Sequence, residues 1–270
     1  MISKIINLSI VLPTINESEN LKILIPNLIS SMKKIDLDDY ELLIVDDGST
    51  DNTVELINNI NKENNKVKII ERNKQPSLPL SIWEGIESST KEFVMWLDAD
   101  GSMTPLAVES LINKINNNQN SIVIGSRFVE GGGYKGVKEI SNNSLFKAMS
   151  NVRDSNDSVL GMVVSNLFNK LLITLLNLGV KDITSGFIVG KKDKFTPDSF
   201  ERASYGDYFI YLVNDLIKNN DQIIEVGYIC ETRVAGVSKT ASTFLQLIRR
   251  GIPYLKAAVV CRIDKYGNKR

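Results

Sequence analysis

Residues 40–60 have the sequence YELLIVDDGSTDNTVELINNI, which passes from an apolar run through a polar turn into a segment of helical period. The run at 40–45 predicts a strand that is covered on both faces, because Ile, Leu and Val follow one another without alternation. Gly48 permits a tight turn, and Ser49 or Asp51 can cap a helix predicted over 52–61. This stretch therefore predicts one strand–turn–helix unit of an α/β fold.

The same alternation extends to both sides of this unit, from residue 5 to residue 125. It predicts a mostly parallel sheet that is joined by crossover helices. The predicted strands are 5–12, 40–45, 67–71, 93–97 and 121–125, and the predicted helices are 18–33, 52–61, 80–89 and 105–117. Thr104 stands before Pro105 and predicts a hydroxyl cap for the last of these helices. In open sheets of this kind, ligands bind beyond the carboxyl ends of the strands.

After residue 125 the pattern loosens into a glycine-rich loop and a polar stretch. The elements predicted beyond it are a helix at 159–178, a strand at 187–189, a helix at 206–218, a strand at 223–229 and a helix at 243–261. We therefore expect one α/β domain over 1–240, with halves at 1–125 and 126–240, followed by an amphipathic helix and basic tail at 241–270.

Composition excludes several classes of function. The 32 basic and 32 acidic residues give a formal net charge of zero, so there is no global field that gathers nucleic acid. Histidine is absent, which leaves the chemistry to carboxylates, Lys and Arg. Cys230 and Cys261 are far apart, which predicts neither a zinc site nor a disulfide framework and fits a reducing compartment. We expect no signal peptide and no transmembrane helix, and hence a cytoplasmic protein.

Two pairs of aspartates follow predicted strands. Asp98-Ala99-Asp100 comes after the fourth strand, and in an extended chain its two carboxylates lie on the same side. They can share Mg²⁺ or Mn²⁺ with substrate phosphates, although a turn in which they cap backbone amides is the alternative. Asp46-Asp47 ends the second strand, and one of its carboxylates can accept hydrogen bonds from a base or a ribose.

Seven segments in a fixed order make the chain resemble a known family. They are IVLPTINESENL (10–21), VDDGSTD (45–51), Arg72-x5-Leu78 with Glu84-Gly85, LDADGSMTP (97–105), IGSRFVEGGG (124–133), DITSGF (182–187) and R-x2-G-x-SK (233–239). The chain resembles the family 2 glycosyltransferases of GT-A fold, in particular the polyprenyl-phosphate group that includes dolichyl-phosphate mannosyltransferase. This resemblance implies an inverting, metal-dependent hexosyltransferase. Its donor would be GDP-mannose or a UDP-sugar, bound by 1–125, and its acceptor a polyprenyl phosphate, bound by 126–240.

The resemblance also implies roles for individual residues. The nucleoside pocket would be Pro13, Ile15, Glu17, Val45 and Asp47, with Asp98 and Ala99 beside the ribose and diphosphate. Asp100 would bind Mg²⁺ or Mn²⁺, with further oxygens from Ser102 and Asp98. The catalytic set would be Asp100 with three cations that hold phosphates, namely Arg127, Arg233 and Lys239, while Ser165 would lie in the acceptor site.

The chain departs from the family pattern at three positions. Ile15 stands in place of a tyrosine and Ser77 in place of a glycine, which affects base recognition and one turn. Gly161 stands where an acceptor-side arginine is expected, and Lys138 or Arg153 can take over its role.

Two other functions are compatible with the sequence. If the acceptor is a sugar hydroxyl, a general base is required, and Asp207 is the candidate; the alternative is that Asp207 caps the next helix. The chain can also be a nucleotide-binding protein without catalysis. The last predicted helix has an apolar face that is interspersed with the cations Arg249, Arg250, Lys256 and Arg262. It either packs on the domain or lies on the cytoplasmic face of a membrane, and a membrane partner protein can supply the membrane contact instead.

Overall fold

The structure is a computed structural model that describes residues 6–134, 156–231 and 244–267. Its strands are β1 Leu8–Thr14, β2 Tyr40–Asp46, β3 Val67–Glu71, β4 Phe93–Trp96, β5 Ile122–Ser126, β6 Gly133–Tyr134, β7 Ile188–Lys191, β8 Ile223–Gly227 and β9 Ile229–Cys230. Its α-helices are α1 Ser18–Lys34, α2 Thr53–Glu63, α3 Leu78–Ser88, α4 Pro105–Asn116, α5 Asn156–Leu176, α6 Asp198–Glu201, α7 Tyr208–Lys218 and α8 Phe244–Gly267.

Seven strands form one mixed sheet in the order β3-β2-β1-β4-β7-β5-β8. All neighbours pair in parallel except β7, which is antiparallel to both β4 and β5. The predicted α/β class with a mostly parallel sheet is confirmed. Because β1, β2 and β4 are parallel neighbours, the residues that follow Thr14, Asp46 and Trp96 meet at one edge of the sheet.

Apolar side chains pack on both faces of this sheet, as the uninterrupted Ile, Leu and Val runs predict. Ile10 and Leu12 of β1 belong to the cluster under α1 and α4, whereas Val11 belongs to the cluster under α3 and α7. The second cluster also contains the fully buried Trp96 and, from α8, Ala257. The described part of α8 thus packs into the core, while the predicted domain division at residue 240 stays a prediction.

Element boundaries differ from the predicted ones by a few residues. β1 begins and ends later than predicted and includes Pro13, which faces Val45 in the register. The predicted strand at 223–229 is two strands, β8 and β9, because its pairing partner changes at Tyr228. The Tyr228 amide donates to the carbonyl of Ser126, the last residue of β5, and the Tyr228 carbonyl accepts from the amide of Gly133, the first residue of β6. Three short elements were not predicted, namely β6, α6 and the 3₁₀ turn Lys192–Lys194.

Helix starts test two predicted caps. Thr104 accepts a hydrogen bond from the Ala107 amide and caps α4, as predicted. For α2, the N-cap residue is Asn52 rather than Asp51 or Ser49, and the Asn52 side chain makes no cap hydrogen bond. Asp51 instead accepts hydrogen bonds from the amides of Thr53 and Ser18, which joins the start of α2 to the start of α1.

Candidate active site

A cleft of about 380 Å³ opens where β1, β2 and β4 end, and we call it the strand-end cleft. Most of its lining comes from the loops after these strands and from the start of α3; a separate wall comes from the segment before α7. The lining residues are Pro13, Thr14, Ile15, Glu17, Asp47, Pro76, Ser77, Leu78, Ser81, Asp98, Ala99, Asp100, Ser204 and Tyr205. The position at the carboxyl ends of the strands is the one predicted for a ligand site.

The loops after β1 and β2 are tied to each other. Asp46 accepts hydrogen bonds from the amides of Gly48 and Ser49, and Gly48 has a φ of 88°, as the tight turn requires. Asn16, itself at a φ of 53°, accepts from the Thr50 amide at 2.7 Å, and the Asn16 amide donates to Ser49. Asp46 therefore builds the turn, which leaves Asp47 to face the cleft.

Asp47 is fixed by a buried cation that the sequence analysis had not assigned a role. Arg72, only 3% exposed, pairs with Asp47 and also donates to Glu84 at 3.1 Å and to Ser81 at 3.1 Å. The Ser77 amide donates to the other oxygen of Asp47. These contacts hold the carboxylate in one orientation at the cleft wall, so its remaining lone pairs are pre-positioned for a donor group of a ligand.

Asp98 and Asp100 both line the cleft but differ in exposure. β4 ends at Trp96 and Asp100 lies in a turn, with Gly101 at a φ of 79°, so the two aspartates do not stand on one extended segment. Asp98 is exposed, whereas Asp100 is buried and accepts a hydrogen bond from the Ser102 amide at 2.9 Å. Ser102 is buried behind Asp100, and its carbonyl accepts from the Glu231 amide.

This donor set fits a hard divalent cation. Carboxylate oxygens are the ligands that Mg²⁺ and Mn²⁺ prefer, and Mg²⁺ commonly binds through one or two carboxylates plus substrate phosphates. Among the described residues, no group of three or more His, Cys, Asp or Glu side chains forms a complete metal cage. The two aspartates therefore suit a cation whose coordination is completed by a phosphate ligand.

Val45 and Arg127 lie away from the cleft lining. Val45 is fully buried, and its side chain packs against α3 near Gly85, so the expected nucleoside contact is not made by this side chain. Arg127 donates to both oxygens of the fully buried Asp182 at 2.8 Å and to Thr184. Its phosphate-binding role stays a prediction, and the observed pair favours a structural role at the end of β5.

The charge of Arg127 is secured by this pair. Burial alone lowers the pKa of the guanidinium, but the charge and hydrogen bonds of Asp182 outweigh it and raise the pKa well above its usual range. Asp182 also accepts a hydrogen bond from the Arg127 amide. The DITSGF segment (182–187) thus holds both the backbone and the side chain of Arg127 after the end of β5.

The acceptor-side predictions are mostly untested. Ser165 is half-buried and hydrogen-bonds Tyr134 rather than lining the strand-end cleft. Four predicted cations lie outside the described residues, namely Lys138, Arg153, Arg233 and Lys239, and the side chains of Arg249 and Arg250 are likewise outside them.

Asp207 holds the segment that precedes it. We call residues 202–207, which join α6 to α7, the Tyr205 loop. The Asp207 carboxylate is buried and accepts hydrogen bonds from the amides of Ser204 and Tyr205 at 3.1 and 2.6 Å. The predicted helix cap is not formed, because Asp207 has helical dihedral angles and its carboxylate faces back toward the loop.

Cys230 is close to the acidic turn but is not a reactive thiolate. Burial raises its pKa to about 11; Arg127 opposes this rise, and the negative charges of Asp100 and Asp98 add to it. The thiol is therefore neutral at physiological pH, which agrees with chemistry that depends on carboxylates and cations.

The chain was compared with known families and proteins. The sequence model described as glycosyl transferase family 2 matches residues 9–196, which is well over half of the chain. The chain belongs to glycosyl transferase family 2. The match contains every strand that contributes to the strand-end cleft, and the predicted family resemblance is confirmed.

The names of two curated relatives of this family 2 chain specify different acceptors. The chain is 30% identical over 193 residues to dolichol-phosphate mannosyltransferase of Pyrococcus furiosus, and the match covers 69% of this chain and 53% of the relative. It is 29% identical over 228 residues to poly(ribitol-phosphate) beta-N-acetylglucosaminyltransferase of Staphylococcus aureus, covering 78% and 64%. The chain thus spans about half to two thirds of the length of these relatives.

Solved structures share the fold of the family 2 chain. Glucosyl-3-phosphoglycerate synthase of Mycobacterium tuberculosis, in a complex with Mn²⁺, UDP and glucosyl-3-phosphoglycerate, superposes with a TM-score of 0.62 at 18% identity. The superposition covers 95% of this chain and 80% of the synthase. The predicted GT-A architecture is therefore confirmed.

Proposed function

We propose that this protein transfers a hexose from a nucleotide-diphosphate sugar to a polyprenyl phosphate, with inversion and with Mg²⁺ or Mn²⁺. One observation carries the proposal: a fixed acceptor group, Asp47, and an acidic turn, Asp98–Asp100, share one cleft. Asp47 would accept hydrogen bonds from the base, with Pro13, Ile15 and Glu17 around the nucleoside. The Mycobacterium synthase, which has the same fold, was solved with Mn²⁺ and UDP.

The metal would be held by Asp100 and Asp98, with Ser102 behind them. A divalent cation there supplies positive charge against the diphosphate that leaves. Asp100 is kept in place by the Ser102 amide, so little reorganisation of the protein is required. Catalysis by the chain's own residues would then rest on holding the donor in one geometry.

In the proposed reaction, an oxygen of the lipid phosphate attacks the anomeric carbon from the face opposite the diphosphate. The new carbon–oxygen bond forms as the bond to the diphosphate oxygen breaks, and the electron pair leaves with the nucleoside diphosphate. A phosphate monoester is largely ionised at neutral pH, so it needs no general base. A sugar hydroxyl does need one, and the candidate Asp207 is buried and bound to two loop amides. That arrangement favours the phosphate acceptor.

A thermal-unfolding panel tests the donor half. UDP-glucose, UDP-N-acetylglucosamine and GDP-mannose are each added with and without Mn²⁺, because a ligand stabilises the folded state that it binds. We expect metal-dependent protection by at least one donor, lost in Asp100→Ala and kept in Asp193→Ala, an exposed aspartate at the opposite edge of the sheet. Absence of protection by any nucleotide sugar would favour a different function.

Transfer of labelled sugar tests the acceptor half. We expect label to enter the organic phase with undecaprenyl or dolichyl phosphate. Label that enters only poly(ribitol phosphate) or another hydroxyl acceptor would overturn the lipid assignment and leave the donor assignment intact. Asp207→Asn serves as the discriminating variant: if Asp207 is a base, transfer to a hydroxyl should fall strongly while the affinity for the nucleotide sugar stays unchanged.

Peripheral membrane contact is the second part of the proposal. Among the described residues, none of the helices combines the length and apolar character that a membrane crossing requires. On α8, Ile252, Leu255, Val259 and Ile263 are exposed at helical spacing, and Lys256 and Arg262 are exposed beside them. An apolar stripe flanked by cations suits an anionic lipid surface.

Vesicle flotation tests this contact. We expect binding to vesicles that contain phosphatidylglycerol, weaker binding to phosphatidylcholine alone, and loss of binding in Val259→Glu/Ile263→Glu. The matched control is Ile23→Glu on α1, which changes an equally apolar and 47% exposed residue elsewhere. Equal flotation of both variants would contradict the assignment of this surface.

A further inference from the structure

Tyr205 is the one aromatic residue among the described residues that line the strand-end cleft. It remains 48% exposed, whereas the other lining side chains are small, aliphatic or polar. An aromatic ring has an apolar, electron-rich face that attracts C–H groups and flat ligands. Its position in a cleft, rather than its exposure alone, makes this ring a candidate ligand contact.

Both ends of the Tyr205 loop are anchored in an aromatic cluster. Phe200 and Tyr208 stack with ring centroids 5.5 Å apart and an interplanar angle of 19°. The Trp96 indole donates to the Tyr208 hydroxyl at 3.0 Å, and Trp96 is the last residue of β4. The residue that follows the loop is thus hydrogen-bonded to Trp96, the last strand residue before Asp98.

The middle of the loop contacts both Asp207 and the helix α8. The buried Asp207 carboxylate accepts a hydrogen bond from the Tyr205 amide. Hydrogen bonds of this kind offset the cost of burying a charge. The Tyr254 hydroxyl of α8 lies so close to Gly206 that a Cβ atom on Gly206 would be 2.0 Å from it. Tyr254 is itself packed edge-to-face on Phe168 at 5.9 Å. The backbone that carries Tyr205 therefore has little freedom.

The loop is connected to the strand that leads to Asp98. Trp96, two residues before Asp98, donates to the hydroxyl of Tyr208, the residue that follows the loop. The proposed function assigns the nucleoside to the Asp47 side of the cleft and the diphosphate with its sugar to the Asp98 side. Tyr205 lines the cleft together with Asp98.

We propose that Tyr205 binds the donor's sugar by placing its aromatic face against the C–H face of the hexose ring. This inference rests on the proposed function and adds a substrate-contacting residue that the family resemblance did not supply. Such a contact orients the anomeric carbon, and it acts on the sugar without acting on the nucleotide.

The test compares each nucleotide sugar with the corresponding nucleoside diphosphate, so that the two ligands differ only in the presence of the sugar. Calorimetric titration with Mn²⁺ measures the dissociation constants of UDP-glucose against UDP and of GDP-mannose against GDP. For the donor that binds, we expect Tyr205→Ala to weaken the nucleotide sugar about five- to tenfold. The nucleoside diphosphate should bind Tyr205→Ala as it binds the wild type.

Two further variants separate the ring face from other effects. Tyr205→Phe keeps the face and should bind the nucleotide sugar like the wild type, whereas Tyr205→Leu keeps apolar bulk and should weaken it. Tyr205→Leu also provides the result if Tyr205→Ala does not fold. Ile23→Ala, an exposed apolar residue on α1, is the control and should leave both affinities unchanged.

The outcomes discriminate between this inference and the function on which it rests. Equal weakening of nucleotide sugar and nucleoside diphosphate, no weakening at all, or a loss in Tyr205→Phe as large as in Tyr205→Ala would each overturn the inference alone. A wild-type protein that binds no nucleotide sugar with Mn²⁺ would overturn the proposed function, and the inference with it.

Discussion

Glu41 gives a prediction whose size follows from its surroundings. It is buried on β2, and its carboxylate accepts hydrogen bonds from Ser9 at 2.7 Å, from Lys68 at 2.7 Å and from Thr90. Burial alone raises the pKa of Glu41, but the bonds from Lys68, Thr90 and Ser9 outweigh it and lower the pKa from 4.5 to about 2. The unfolded chain therefore binds a proton more readily than the folded chain.

The sign and magnitude follow from linkage. Because the folded pKa is depressed, the stabilisation is fully present above the unfolded pKa and is lost as the pH falls toward the folded pKa. The lowering of the pKa from 4.5 to about 2 corresponds to about 3 kcal/mol, of which roughly 1.4 kcal/mol is lost by pH 3.5. Glu41→Gln removes this proton-linked contribution.

Urea unfolding at pH 7, 5, 4 and 3.5, followed by circular dichroism, measures the effect. We expect Glu41→Gln to be less stable than the wild type at pH 7, with a difference that shrinks by roughly 1.4 kcal/mol at pH 3.5. Glu55→Gln, an exposed residue of α2, is the control and should not change the pH dependence. A difference between Glu41→Gln and wild type that is constant from pH 7 to pH 3.5 would refute the assigned pKa.

Three substitutions test packing and the cleft wall. Gly85→Ala should lower the calorimetric melting temperature by about 2–8 °C, because its Cβ would lie 2.3 Å from a valine methyl group of β1; an unchanged melting temperature would contradict this. Arg72→Met should weaken nucleoside diphosphate binding at least tenfold in calorimetric titration, because it leaves Asp47 without its buried cation; a stability loss with intact affinity would contradict it. Gly206→Ala should weaken the nucleotide sugar selectively, with partial recovery in Gly206→Ala/Tyr254→Phe, where the nearest clashing oxygen is removed; equal affinity of Gly206→Ala and wild type would show that this contact does not set the loop.

Features with local causes were predictable from the sequence. The turn at Gly48 and the cap at Thr104 depend on residues within three positions of each other, and both are present. The strands were placed from uninterrupted apolar runs, which located the sheet edge. Seven of the fourteen residues that line the cleft were expected at a ligand site, and that expectation came from the family resemblance. The boundaries shifted where hydrogen bonds to another strand, as at Tyr228, decide where pairing stops.

Features with distant causes were not predictable. Asp182 lies far along the chain from Arg127, and only the packing of β5 against the segment before β7 brings them together. Asp207 has the residue type of a helix cap, but the direction of its carboxylate depends on loop amides. Tyr205 has no periodicity or motif that marks it, since its role depends on where α6, α7 and α8 place the loop.

The packing of Tyr254 against Gly206 also affects the order in which the walls of the cleft form during synthesis. Chains emerge from the ribosome with the N-terminal part first and begin to fold before they are finished. The strands that carry Asp47 and Asp98 emerge long before α8, whereas the Tyr205 loop lacks its lateral support until α8 docks. The wall formed by the Tyr205 loop is then the last part of the cleft to form, so under the proposed function full donor recognition requires that α8 has been synthesised and has docked.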